Sequence, residues 1–284
     1  MIAATRQPVF RFAPSPNGLL HLGHARSALL NFDMARQSSG RFLLRIEDID
    51  RARCRPEHEA AMLRDLEWLG LEWEQPVRRQ SEHFGCYSRA LARLAASGLT
   101  YCCTCTRAQI ASAVAGQPDW PRDPDGAPHY PGTCRGDGMV AAPAARRLDM
   151  GKALAPLPCG LSWTELGGGT PRLVPAEPQR WGDVVLARKD VPTSYHLSVV
   201  VDDALQGVTD VVRGADLFEA TAIHRLLQHL LELPGPRYLH HALMMDEAGR
   251  KLSKSLASRS LASLRASGVT PEQVRMMAGV PERT

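Results

Sequence analysis

Residues 8–69 alternate in a way that leaves few architectures open. PVFRFA at 8–13 reads as a short strand, and PSPNGLL after it as a turn punctuated by proline and glycine. From Leu22 to Arg36 the pattern is helical, with Ala25, Leu29, Phe32 and Ala35 or Arg36 near one face. A second strand, RFLLRIE, spans 41–47. A second helix over 56–69 opens with Pro56 and Glu57 and sets Ala60, Leu63, Leu66 and Glu67 at helical spacing. Strand, helix, strand, helix in this order implies parallel pairing in an α/β layer fold.

A chain of 284 residues is long enough to bury a core without disulfides. With 44% apolar and 23% charged residues, the disordered and fibrous classes are excluded. No run approaches the roughly 18 apolar residues of a membrane helix, and MIAATRQPVFRFAPS lacks the apolar segment of a signal peptide. The expectation is a cytoplasmic protein with no membrane partner. Seven cysteines (54, 86, 102, 103, 105, 134 and 159) are an odd number in such a chain, which favours metal binding or burial over a disulfide framework. Of 34 basic residues only four are Lys (152, 189, 251 and 254), and two of them share the pentapeptide KLSKS. A mobile ammonium suits closing over phosphates.

Patterning changes at Tyr101. The next eighty or so residues carry clustered Cys, Pro and Gly with little periodicity, and read as an insertion with short β elements. Regular apolar patterning resumes at GDVVLAR (182–188), YHLSVVVDDAL (195–205) and VTDVVRG (208–214), followed by a helix over 217–233 and a strand-like LHHALMM at 239–245. The expected layout is an α/β domain split between 1–100 and 183–246, an inserted subdomain over 101–182, and a KLSKS loop with a short helical tail over 247–284.

The turn RFAPSPNGLLHLGHARSALL places a strand end, a tight turn and a helix start in succession. Helix starts leave N–H groups unpaired and hold phosphates well. His21 and His24 lie on one side of the first turn. Gly23 between them has no side chain to keep a flat base from the backbone. Taken alone, the four residues are equally a helix start with two solvated histidines.

In context, residues 11–24, RFAPSPNGLLHLGH, resemble the nucleotide-binding signature of class I aminoacyl-tRNA synthetases, with RFAPSP in the form of the glutamyl branch. KLSKS at 251–255 resembles the second class I signature, and LRIEDID at 44–50 again resembles the glutamyl branch. The resemblance implies an α/β fold with a Rossmann-type parallel sheet, an inserted zinc-binding subdomain and a short helical C-terminal tail. It implies a ligase that joins glutamate to the α-phosphate of ATP with Mg²⁺. His21, Gly23, His24, Lys251, Ser253 and Lys254 would then contact ATP, with His21, His24 and Lys254 catalytic.

Glutamate carries two carboxylates and one ammonium. Arg11 can fork onto a carboxylate, Ser15 can donate to the same ligand, and Glu47 suits the ammonium. All three stand at or just beyond strand ends, where open parallel sheets hold ligands. The resemblance adds Phe12, Ala13, Pro14, Tyr195 and Arg213 to the glutamate site, and APSP, where glutaminyl enzymes carry PEP, favours glutamate.

In the insertion, YCCTCTR and HYPGTCR offer Cys103, Cys105 and Cys134 to one structural Zn²⁺. The residues alone suggest Cys102 or His129 as fourth ligand, because phenolate is a poor ligand at neutral pH. A subfamily, the glutamyl-queuosine tRNA(Asp) synthetases, has C-x-C followed by Y-x-x-x-C, and resemblance to it selects Tyr130. Cys54, Cys86 and Cys159 are expected to be structural. The sequence ends 284 − 255 = 29 residues after KLSKS, too few for an anticodon-binding domain, and LASLRASGVTPEQVRMMAGV reads as one or two helices with Thr270 as N-cap.

That subfamily activates glutamate without tRNA and joins it to the cyclopentene diol of queuosine in the anticodon of tRNA(Asp). The same is expected here, from a monomer. Two alternatives are a minimal glutamyl-tRNA synthetase charging a tRNA 3′ end and an inactive synthetase-like RNA-binding protein. Arg51–Arg55 and Arg146–Arg147 are the stretches that can meet RNA phosphates.

Overall fold

The computed structural model describes residues 7–136, 143–157, 160–245 and 259–280. The alternation read from residues 8–69 is present. β1 (Val9–Phe12) leads through a turn into α1 (Leu22–Gln37), followed by β2 (Arg41–Ile46), α2 (Pro56–Trp68), β3 (Glu74–Arg79) and α3 (Phe84–Ala96). β4 (Thr100–Cys103), α4 (Arg107–Val114), β5 (Ala145–Leu148), α5 (Met150–Leu154), β6 (Ser162–Glu165), β7 (Arg172–Pro175) and β8 (Val185–Ala187) come next. The described chain closes with α6 (Tyr195–Leu205), β9 (Asp210–Gly214), α7 (Thr221–Leu230), β10 (Arg237–His241), α8 (Leu261–Ala266) and α9 (Pro271–Met277).

Seven strands form one sheet in the order β3-β2-β1-β9-β10-β6-β7. All neighbours are parallel except the last pair, β6 and β7. β1 pairs with β2 from Val9↔Arg41 to Phe12↔Leu44 and meets β9 at Phe10↔Asp210. Strand order reverses between β1 and β9, the switch point where parallel sheets open a crevice beyond their C-terminal ends. β1 is buried throughout, because helices cover the sheet on its faces. A second sheet, β4-β5-β8, is antiparallel.

The sheets do not divide at residue 183. β6 and β7, inside the stretch expected to be insertion, extend the main sheet beyond β10, and β8 belongs to the small sheet. Trp163 of β6 explains why: it packs with Val9, Val211 and Tyr238 of the main sheet. The short segments around it have no periodicity from which this could be read.

Two helices also differ in detail. On α2 the buried face is Ala61, Met62, Asp65 and Leu66, whereas Ala60 and Glu67 are exposed. The face includes an acid because Arg265 of α8 approaches Asp65 to 3.3 Å. The helix expected over 217–233 starts only at Thr221, after a turn whose Leu217 carbonyl accepts from Arg213. The strand-like 239–245 ends at His241.

The tail is bound into the main core. Thr270 caps α9 with a reciprocal Gln273 box, and Pro271 takes its first position. Leu261, Leu264, Val274 and Ala278 share one apolar cluster with Ala25, Leu29 and Phe32 of α1. Arg275 holds both oxygens of Asp33 at 2.9 and 3.0 Å, and Arg26 donates to the Ala278 carbonyl. Among the described residues no helix is long and apolar enough to cross a membrane.

Candidate functional site

A cavity of about 440 Å³ opens at the switch point, bounded by the ends of β1 and β9, the turn before α1 and the first residue of α6. Arg11, Phe12, Ala13, Pro14, Ser15, His21, Gly23, His24, Glu47, Tyr195 and Arg213 all line it, so residues up to 202 positions apart in sequence converge as expected. The turn is fixed to β2 where the Glu47 N–H donates to the Pro14 carbonyl at 2.9 Å. Lys251, Ser253, Lys254 and Cys159 lie outside the described residues.

The two histidines cap the helix. The Gly23 N–H donates to Nδ1 of His21 at 3.1 Å, and the His21 N–H donates to Nδ1 of His24 at 3.2 Å. This is a capping box built from imidazoles in place of the usual hydroxyl and carboxamide. It also sets the tautomers. With Nδ1 accepting, each neutral ring carries its proton on Nε2 and presents an N–H donor there. A Cβ on Gly23 would stand 3.0 Å from Cε1 of His21, so glycine is needed first to make room for the capping ring.

The charged groups of the glutamate set are held by others. Arg11 is 4% exposed, and its Nε donates to Asp203 Oδ1 at 3.0 Å. A carboxylate in the cavity therefore meets its terminal nitrogens. Glu47 Oε1 accepts from Arg45 at 3.1 Å. Burial raises the Glu47 pKa above the usual carboxylate range, against the opposing pull of Arg45 and Arg11. Ser15 Oγ stands 3.7 Å from Cys54 Sγ.

Arg213, placed by resemblance on a ligand carboxylate, is largely committed to the protein. Its Nε donates to His240, one terminal nitrogen to His224, and the other to Leu217 O and Thr221 Oγ1. Of five N–H donors one remains for a ligand. Its neighbours are kept neutral. Burial, then the Arg213 charge, lowers His240 to about 4 and His224 well below the ordinary value, and His196 beyond it falls to about 4 for the same reasons. His240 Nδ1 in turn meets Glu165 at 2.6 Å. Arg45, Asp203, His224 and His240 were not in the sequence-derived set. The signal available was a charged residue inside an apolar strand (LLRIE) and a paired acid ending an apolar helix (VVVDD), which burial permits only with partners.

The second site is the thiol cluster. The sulfurs of Cys103, Cys105 and Cys134 all lie within 4.8 Å of one another, and Cys105 and Cys134 are 3.6 Å apart. A tetrahedral zinc with Zn–S bonds near 2.3 Å sets its sulfurs ~3.8 Å apart, so the three fit one metal ion. Burial alone would raise the Cys134 thiol, but hydrogen bonds with Tyr130, Thr104 and Cys105 outweigh it and bring it to about 7. The Tyr130 hydroxyl stands 3.4 Å from Cys105 Sγ and accepts from the Cys134 N–H at 2.8 Å. The other two candidates point elsewhere. Cys102 takes Arg146 at 2.9 Å, on the opposite face of β4 from Cys103, and His129 meets the Arg180 carbonyl at 2.8 Å. Arg147 lies over the Tyr130 ring and donates to Asp183 O, so it supports the cluster.

Comparison with known proteins identifies the family. The family described as tRNA synthetases class I (E and Q), catalytic domain, matches residues 8–123 and 172–279. A Glutamyl-Q tRNA(Asp) synthetase of Rhodobacter capsulatus is 50% identical, over 96% of this chain and 100% of the relative. Another of Deinococcus radiodurans is 44% identical over 93% and 85%. Among solved structures, a glutamate-tRNA synthetase of Elizabethkingia anophelis superposes with a TM-score of 0.78 at 24% identity. That match covers 96% of this chain and 61% of that one, and shows the fold. A glutamate tRNA ligase of Elizabethkingia meningosepticum in complex with its amino acid gives 0.77 at 25%, over 96% and 60%. The chain belongs to the glutamyl-Q tRNA(Asp) synthetases, within the class I tRNA synthetases of the E and Q branch.

Proposed function

We propose that this protein activates L-glutamate with ATP, without tRNA, and transfers it to the cyclopentene diol of queuosine in the anticodon of tRNA(Asp). The observation that carries this reading is the convergence of an anion-binding Arg11, an acidic Glu47 and a histidine-capped helix start on one cavity.

In the first step an α-carboxylate oxygen of glutamate attacks the α-phosphorus of ATP. The bridging bond to the β-phosphate breaks and pyrophosphate leaves. The protein's part is positioning and charge stabilisation. Arg11, with Ser15, takes a glutamate carboxylate, and the remaining oxygen of Glu47 takes the ammonium. Tyr195 and the last donor of Arg213 close the pocket. The Nε2–H groups of His21 and His24 face the phosphates, at the positive end of the α1 dipole. Lys254 supplies the charge for leaving pyrophosphate, with Lys251 and Ser253 of the same KLSKS motif. Mg²⁺ bound with ATP neutralises phosphate charge. In the second step a diol hydroxyl attacks the acyl carbon and AMP leaves. Zn²⁺ on Cys103, Cys105, Cys134 and Tyr130 would organise the small sheet and take no part in either step.

The test offers labelled glutamate, ATP and Mg²⁺ with queuosine-bearing tRNA(Asp), queuosine-free tRNA(Asp) and tRNA(Glu) in parallel. Label is expected on queuosine-bearing tRNA(Asp) alone. Label on tRNA(Glu) alone would establish a charging enzyme instead, and glutamate-independent ATP–pyrophosphate exchange would overturn the adenylation step.

A further inference from the structure

Two side chains that line no part of the cavity connect its two charged poles. Asp203 Oδ1 accepts from Arg11 Nε at 3.0 Å and from Arg45 at 2.7 Å, and Arg45 also donates to Glu47 Oε1 at 3.1 Å. The side chains of Arg45 and Asp203 are 0% and 7% exposed. Arg11, Asp203, Arg45 and Glu47 thus form a row of alternating sign whose two ends, and only its ends, line the cavity.

Arg45 is oriented for this row at a cost to itself. Its Nε has no hydrogen-bond partner, and the nearest acid in that direction, Asp202, stays 4.0 Å away. Asp202 is taken up by Arg78, Gln80 and Tyr87. A guanidinium seeking only to satisfy a buried charge would turn towards the second carboxylate. This one is held by Asp203, Glu47 and the Gln206 side chain at 3.0 Å.

Resting on the reading that the cavity takes glutamate, we infer that Arg45 and Asp203 are positioning residues. They hold Arg11 and Glu47 at one spacing, so that the cavity selects a zwitterionic α-amino acid head group. A misplacement of about 1 Å at either pole is enough to cost on the order of a hundredfold in rate. Glu47 is faced by Arg45 of β2, the strand just before it, Arg11 of β1, and Asp203 and Tyr195 of α6. The two positioning charges therefore act on it with opposite sign. Arg45 favours the carboxylate and Asp203 opposes it.

That opposition gives a test that a merely structural role would fail. Wild-type protein is first shown to catalyse glutamate-dependent ATP–pyrophosphate exchange; its absence would defeat the glutamate reading itself. Arg45→Gln and Asp203→Asn are then each expected to raise the KM for glutamate about tenfold or more, with the KM for ATP within about twofold. The acid limb of kcat/KM for glutamate should move to higher pH in Arg45→Gln and to lower pH in Asp203→Asn. Arg45→Lys should keep the limb near its wild-type position. If Arg45→Gln does not fold, Asp203→Asn against Arg45→Lys carries the same comparison. Equal rises in both KM values, or acid limbs that stay put or move together, would overturn the inference.

Discussion

The ligand cavity and the thiol cluster organise reactive groups by contrasting means. Around the cavity each recognition group has a charged or polar partner of its own. Arg11 has Asp203, Glu47 has Arg45, and Arg213 has His224, His240 and Thr221. Such a site is set before any ligand arrives, and its electrostatics are carried by fixed dipoles. In the thiol cluster the three sulfurs meet one another and a phenol, with Tyr101 and Ile110 as the partly buried apolar groups around them. The three thiols there could hold a metal ion. The contrast teaches that one site is stabilised by the fold, whereas the other would contribute to it on binding metal.

The largest effect is expected at Lys254, which lies outside the described residues. Lys254→Ala should lower glutamate-dependent exchange by about a hundredfold or more, the scale of losing one transition-state donor. Unchanged exchange would show that the fixed network alone supports pyrophosphate departure.

Acid should undermine the cavity through its histidines. His196 is held to about 4 by burial and by Arg213, below the ordinary 6.5 of an unfolded chain. As pH falls below 6.5 the unfolded chain takes up a proton that the folded one refuses, so stability drops progressively down to about 4. Roughly 3 kcal/mol is at stake for this residue. Urea unfolding between pH 7 and pH 4.5 would measure it, and His196→Gln should flatten the curve. An unaltered slope in that variant would mean the histidine row does not carry the acid sensitivity.

Chelation should separate the two regions. Stripping metal is expected to raise hydrogen exchange across 103–136 while exchange protection in β1, β2 and β9 persists and pyrophosphate exchange stays within about threefold. Coupled loss of both would erase the distinction drawn above. The smallest effect should come from the brace behind the cavity. Arg275→Ala removes a partly buried two-bond ion pair with Asp33 and should cost about 1 kcal/mol in global stability.

Much of the site was legible because it is local. The turn from Arg11 to His24 and the end of β2 are short contiguous segments whose residue types state their chemistry, and the cavity brings them together as expected. The thiol cluster followed from spacing, and strand alternation turns Cys102, a candidate fourth ligand, to the face of β4 away from Cys103. What escaped was long-range. Asp203 serves Arg11 across 192 positions, and β6 joins β10 across more than 70. Neither pairing leaves a periodic trace. The α2 face escaped for a related reason, since Asp65 looks like a surface residue until Arg265 is placed beside it.

The brace on α1 has a consequence for how the protein is made. The helix that presents His21 and His24 is among the first elements synthesised, yet Leu261 donates to the Leu20 carbonyl and Arg26 reaches Ala278 across 252 positions. Contacts so distant in sequence form slowly and late. On the ribosome the His21–His24 end of the cavity would therefore remain unfinished until residues 260–278 had emerged. An incomplete chain would hold a recognisable Gly-and-His turn and still be unable to spend ATP on glutamate.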